Sequence, residues 1–114
     1  MTLSRLGQPA ETAVIQALRH VREGGGRGIL RVELRRGQVY KIKVSRRVPA
    51  DQDYTVGEAL GEAISAEALA DLMRVVQAIR ADGGMGEVVL TIEGGSVQEV
   101  TGDSWCVLDL RRER

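Results

Sequence analysis

The chain has 114 residues, 43% of them apolar, with no Phe, one Trp and two Tyr, which is enough for one compact domain with an aliphatic core and too apolar for a disordered chain. One cysteine, Cys106, excludes an internal disulfide and a multi-cysteine metal site, and a lone histidine, His20, leaves little for a histidine-based metal centre or triad. Net charge is zero but unevenly divided: residues 1–57 hold nine Arg and two Lys against five acids, a formal +6, and residues 58–114 hold five Arg against eleven acids, a formal −6.

The opening MTLSRLGQPAE lacks the apolar stretch of a signal peptide, and no apolar run approaches the roughly 20 residues of a membrane span, so the expectation is a soluble cytoplasmic protein with no membrane partner. Residues 9–23 place Ala10, Ala13, Val14, Ala17, Leu18 and Val21 on one stripe, the pattern of an amphipathic helix, and Pro9 suits its first turn. Gly24–Gly26 end that helix, because glycine takes the left-handed conformation without steric cost. The tract GGGRG (24–28) follows a helix and opens a strand, where the helix dipole is negative and repels phosphate; it reads as a chain reversal, not a phosphate loop.

Alternation then predicts a hairpin with Leu30, Val32 and Leu34 on one face together with Tyr40, Ile42 and Val44. The parity of these two sets predicts a three-residue loop, Arg35-Arg36-Gly37, pairing Val32 with Tyr40 and Leu30 with Ile42. Arg46-Arg47-Val48-Pro49 reads as a short strand that Pro49 stops. Residues 49–64 form an acidic connector, partly ordered around Tyr54, Val56, Leu60 and Ile64. A second helix follows over 66–81, with Leu69, Leu72, Met73, Val76 and Ile79 on its stripe, Ser65 as N-cap and Gly83–Gly84 at its end. A second hairpin with loop Glu93-Gly94-Gly95 pairs Leu90 with Gln98 and Val88 with Val100, and residues 104–110, SWCVLDL, predict a further strand with Cys106, Leu108 and Leu110 on its apolar side.

Shifted by 58 residues, the chain matches itself without a gap. Arg22, Gly25, Gly26, Gly28, Gly37 and Val39 fall on Arg80, Gly83, Gly84, Gly86, Gly95 and Val97, and the apolar positions coincide as well. This predicts an internal duplication. The expected fold is α+β and pseudo-symmetric, an (αββ)2 chain with one antiparallel sheet of four to six strands and both helices packed on one face. Its single domain, 1–114, would contain two repeats, 9–48 and 65–110, joined by the connector 49–64.

Residues 72–100, LMRVVQAIRADGGMGEVVLTIEGGSVQEV, carry a helix, a glycine break, an alternating run, a second glycine break and another alternating run. This resembles the YezD-like family of small uncharacterised bacterial proteins, and residues 14–42 match less closely. The resemblance implies two such units fused and paired with each other. It carries over no activity and no catalytic residue, and the long connector 49–64 departs from it.

Two surfaces are candidates for binding. On the first hairpin, Arg31, Lys41 and Lys43 share one face with Glu33 among them, Arg35 and Arg36 occupy the turn, and Arg46 and Arg47 lie just beyond. A basic ribbon of this kind can follow a phosphate backbone and release counterions, which makes these seven cations candidate nucleic-acid contacts. Against that, the face has no aromatic residue to stack a base, and the second hairpin carries Val89, Thr91, Glu99 and Thr101 in the matching places. The second candidate is a protein interface built from Val39, Val89 and Val97 on the nominal outer face and Trp105 beside them. A two-fold dimer that sets the basic hairpin on the acidic one would be complementary twice over; alternatively, the two halves simply attract each other within one monomer.

The connector acids Asp51, Asp53, Glu58 and Glu62 lack the spacing of a calcium loop and read as solvated. Cys106 reads as a core residue and His20 as a surface one late in helix 1, so the two make no catalytic dyad. The expectation is therefore a non-enzymatic protein without cofactor or metal, a self-associating or protein-interaction module that forms a homodimer. The alternative is a nucleic-acid-binding accessory protein.

Overall fold

The structure, a computed structural model, describes residues 6–46 and 64–106. Helix α1 spans Gln8–Glu23, followed by strands β1 (Gly28–Arg35) and β2 (Gln38–Arg46); helix α2 spans Ala66–Ala81, followed by β3 (Gly86–Glu93) and β4 (Ser96–Ser104). The chain is α+β, and the described strands form one four-stranded antiparallel sheet in the order β2-β1-β3-β4. Each element of the second half starts and ends 58 residues after its counterpart in the first. None of the described helices is long and apolar enough to cross a membrane.

The helices form where the apolar stripes predict. Helix α1 buries Val14, Ala17, Leu18 and Val21, with Pro9 in its first turn, where a missing N–H removes no helix bond. Helix α2 buries Ala68, Leu69, Leu72, Met73, Val76 and Ile79, and the Ser65 hydroxyl caps it by accepting from the Ala68 N–H at 3.1 Å. Both helices end in the same way. Gly26 N–H donates to the Val21 carbonyl at 3.0 Å and Gly84 N–H to that of Ile79 at 2.8 Å, with the preceding Gly25 and Gly83 at φ of 106° and 101°. Within GGGRG the amides of Gly24 and Gly26 are thus used in ending the helix and reversing the chain.

The hairpin turns differ from the sequence expectation. Each has two residues, Arg36-Gly37 and Gly94-Gly95, with both φ values positive (56° and 78°; 63° and 82°), the type I′ turn whose twist matches that of the flanking strands. Leu34 pairs with Val39, and a bulge then leaves Tyr40 as the extra residue, so that Val32 meets Ile42 and Leu30 meets Val44. In the second hairpin Ile92 pairs with Val97, Gln98 is the extra residue, and Leu90 meets Val100. A two-residue turn therefore preserves the facing of the strands because the bulge restores the parity that the turn alone would break. One consequence is that Tyr40 leaves the apolar face and is exposed. The predicted strand 104–110 is not a separate element in the part described: β4 runs on to Ser104, Cys106 is exposed and not in the core, and residues 107–110 lie outside the described residues, as do 47–63 with the predicted short strand and connector acids.

Strands β1 and β3 carry the core. Their even-numbered residues, Leu30, Val32, Leu34, Val88, Leu90 and Ile92, are at most 1% exposed, and Leu30 pairs directly with Leu90 across the centre of the sheet. Val21 of α1 lies against Gly28, and Ile79 and Val75 of α2 lie against Gly86 and Gly102, all on even-numbered positions. Burying each such Leu, Ile or Val contributes about 1.5–3 kcal/mol, and burial on this scale is what holds the two halves together.

The halves also meet through backbone. Gly37 N–H, in the first turn, donates to the Gly84 carbonyl at 2.9 Å, and Gly95 N–H, in the second, donates to that of Gly26 at 3.0 Å. Arg80 Nε reinforces the first contact by donating to the Gly37 carbonyl at 2.7 Å. A Cβ on Gly26 would lie 2.8 Å from Gly95 N, and one on Gly84 would collide with Gly37 N. Gly84→Ala is expected to lose about 2–5 kcal/mol, combining about 1–2 for the left-handed conformation with about 1–3 for overpacking. Gly83→Ala, whose Cβ meets nothing within 4 Å, should lose only about 1–2 kcal/mol. Urea unfolding of the two variants measures the difference, and equal losses would contradict the close approach.

Candidate interaction face

The even-numbered positions of β1 and β3 belong to the core, so their odd-numbered side chains turn the other way. The register lines these up in rows across the sheet. The middle row runs Lys43, Arg31, Val89, Thr101; one side of it is Lys41, Glu33, Glu87, Asp103 and the other is Ser45, Ile29, Thr91, Glu99. Down the centre, Ile29, Val89 and Thr91 are half-buried, while the outer strands β2 and β4 present exposed charges and hydroxyls.

Charge divides this face along the β1–β3 seam. On this face β1 and β2 present Arg31, Arg35, Lys41 and Lys43 with the single acid Glu33, and β3 and β4 present Glu87, Glu93, Glu99 and Asp103 with no base. At the seam the Arg31 guanidinium reaches the Glu87 carboxylate at 3.5 Å. With side-chain exposures of 43% and 26%, this pair is worth at most about 1 kcal/mol.

One end of the face is aromatic. Arg35 lies over the Tyr40 ring at 4.0 Å from its centroid, a cation–π contact made because the bulge turns Tyr40 outward. Across the sheet, Trp105 N–H donates to the Met85 carbonyl at 3.0 Å, which carries the β3–β4 ladder one step past Ser104. Gly86 faces Ile79 of α2, and the Ser104 hydroxyl donates to Asp82 at 2.6 Å, so alternation turns Met85 and Trp105 to the open side. Trp105 is 37% exposed and Tyr40 54%. At the opposite end, a shallow pocket of about 330 Å³ is lined by Arg27, Ile29, Ser45, Arg46, Thr91 and Glu93.

The expected site residues separate accordingly. Arg31, Lys41 and Lys43 are exposed together on the open face; Arg35 is engaged with Tyr40, Arg36 occupies the turn, Arg46 ends β2 with its side chain across Gly24, and Arg47 lies outside the described residues. Of the expected interface set, Val89 is on the open face and Trp105 is exposed. Val39 and Val97 are corrections: they pair with Leu34 and Ile92 and pack with the core, Val97 at 6% exposure. The bulges shift parity by one residue, which brings both valines inward. Sequence reasoning missed Met85, Ile29 and the Arg35–Tyr40 pair; an Arg five residues before a Tyr across a glycine turn was the available signal for the last. His20 is exposed on α1, and the described residues contain no group of three or more His, Cys, Asp or Glu side chains placed to hold a metal ion.

No protein-family model matches the chain, and neither the curated proteins nor the solved structures searched contain a match.

Two outcomes follow from this geometry. A double-mutant cycle on Arg31→Ala and Glu87→Ala should give a coupling below about 1 kcal/mol that shrinks as salt rises. Cys106 should react stoichiometrically with a thiol reagent in the native protein; labelling that requires denaturant would place it in the core after all.

Proposed function

We propose that this chain is a small non-enzymatic bacterial association module, built from two copies of an αββ unit of the YezD-like kind, which binds a second copy of itself through its open sheet face. In this reading the two units are related by an approximate two-fold axis, with both helices over the even-numbered side of the sheet. The common 58-residue offset of all the elements supports the duplication, as does the β1–β3 register: Arg31 pairs with Val89, the residue 58 positions later. The observation that carries the association is the division of the open face into a basic half and an acidic half around a half-buried strip of Ile29, Val89 and Thr91. Such a face is complementary to its own copy. A cytoplasmic location belongs to the same proposal.

The second reading, a nucleic-acid-binding accessory protein, draws on the exposed cluster of Arg31, Lys41 and Lys43. It is the weaker one, because Glu87 holds Arg31 and the acids of β3 and β4 lie beside the same cluster, where they would repel a phosphate backbone.

Light scattering under reducing conditions tests both. The expected result is a dimer mass at tens of micromolar protein in low salt that falls toward the monomer mass as salt rises, unchanged by a random DNA oligonucleotide. A monomer at high micromolar concentration in low salt would reject self-association. A salt-sensitive mass increase only with the oligonucleotide would favour the second reading.

A further inference from the structure

We infer, resting on that self-association, that the open faces stack about a two-fold axis parallel to the strands, with Trp105 and Met85 of one protomer over Arg35 and Tyr40 of the other. Two sheets can pack face to face about a two-fold axis lying between them in either of two simple orientations. An axis perpendicular to the strands places each strand over its own copy, so Arg31 and Lys43 meet themselves and Glu99 comes over Asp103. An axis parallel to the strands reverses the strand order, placing β2 and β1 over β4 and β3 of the partner. Only this second orientation sets opposite charges together.

The rows can then be followed one at a time. Lys41 comes over the second copy's Asp103, and Arg27 at the pocket end comes over its Glu93. Arg31 lies over Val89, and Ile29 over Thr91. Glu33 over Glu87 is the one like-signed match, and there Arg31 already neutralises Glu87 within each protomer. At the aromatic end, the Arg35–Tyr40 pair meets Met85 and Trp105, residue types enriched in interface cores and among their energetic anchors. Inter-strand and per-residue spacings make the face roughly 19 by 27 Å, so stacking buries on the order of 1,000 Å² in total, near the lower bound for a specific interface. A small, charge-bearing interface of this kind forms a weak, salt-sensitive dimer.

The test is charge exchange, read as the dimer dissociation constant by sedimentation equilibrium at low salt and under reducing conditions. Lys41→Glu and Asp103→Lys should each weaken the dimer about tenfold or more, and the double variant should recover most of that loss, because each reversed charge again faces its opposite. Trp105→Ala should weaken it by about tenfold, with a melting temperature equal to the parent's when both are measured dilute enough to be monomeric, since that side chain lies outside the core. Circular dichroism of every variant confirms that it folds. Single variants that dimerise like the parent would place the contact on another surface while leaving self-association intact. Single losses without recovery in the double variant would overturn the parallel axis, and an unaffected Trp105→Ala variant would overturn the anchor. A parent chain that is monomeric throughout would instead end the functional reading itself.

Discussion

Two hydrogen bonds between turn and helix end, Gly37 to Gly84 and Gly95 to Gly26, are the constraint on which the rest of the architecture depends. A type I′ turn leaves an amide pointing away from its own hairpin, and a buried amide without an acceptor costs about 1–3 kcal/mol. Here the acceptor is the carbonyl of the loop that ends the helix of the other half. The approach is close enough that a Cβ on either helix-end glycine would run into backbone, which a side-chain rotation cannot relieve. Each hairpin is therefore finished by the other half's helix, and β1 and β3 are held in the register that brings Leu30 onto Leu90.

The fold and the proposed association draw on different residues. The core is aliphatic: among the described residues eleven side chains are less than 2% exposed, and each contributes on the scale of kilocalories. The cross-seam ion pair of Arg31 and Glu87 contributes at most about 1 kcal/mol because water reaches both groups. The opposite charges of the two halves are thus a weak cause of their pairing, which packing and backbone bonds already secure. In the proposed dimer the same charges, side by side on one face, give that face a direction.

The bulges link these two roles. By adding one residue after each turn they bring Val39 and Val97 inward, adding to the core. The same extra residue projects Tyr40 beneath Arg35 in the first hairpin, and in the second it is Gln98, whose amide donates to the Ser96 hydroxyl at 3.0 Å and the Glu93 carbonyl at 3.3 Å. Equivalent backbone geometry thus carries an exposed aromatic ring in one half and a local polar clasp in the other. That difference is chemical, made by side chains on a shared frame.

The sequence by itself determined both helices, the glycine breaks, the strand locations and the split of charge, because each is a local property: a period of 3.6 or 2, a residue that tolerates positive φ, a count of ionic groups. It also located Arg31, Lys41, Lys43 and Val89 on one face, since alternation within a strand needs no partner. Turn length, the bulges, the inward rotation of Val39 and Val97 and the exposure of Cys106 were decided only in the tertiary structure. A hairpin chooses between a longer loop and a tight turn plus bulge by its energy against the opposing strand and the neighbouring helix end, and parity alone admits both. The juxtaposition of Met85 with Trp105, and of Arg31 with Glu87 across 56 residues, likewise exists only once β1 lies beside β3 and β3 beside β4. Long-range strand order depends on which faces can be buried together, a property of the assembled core that no single segment of the chain contains.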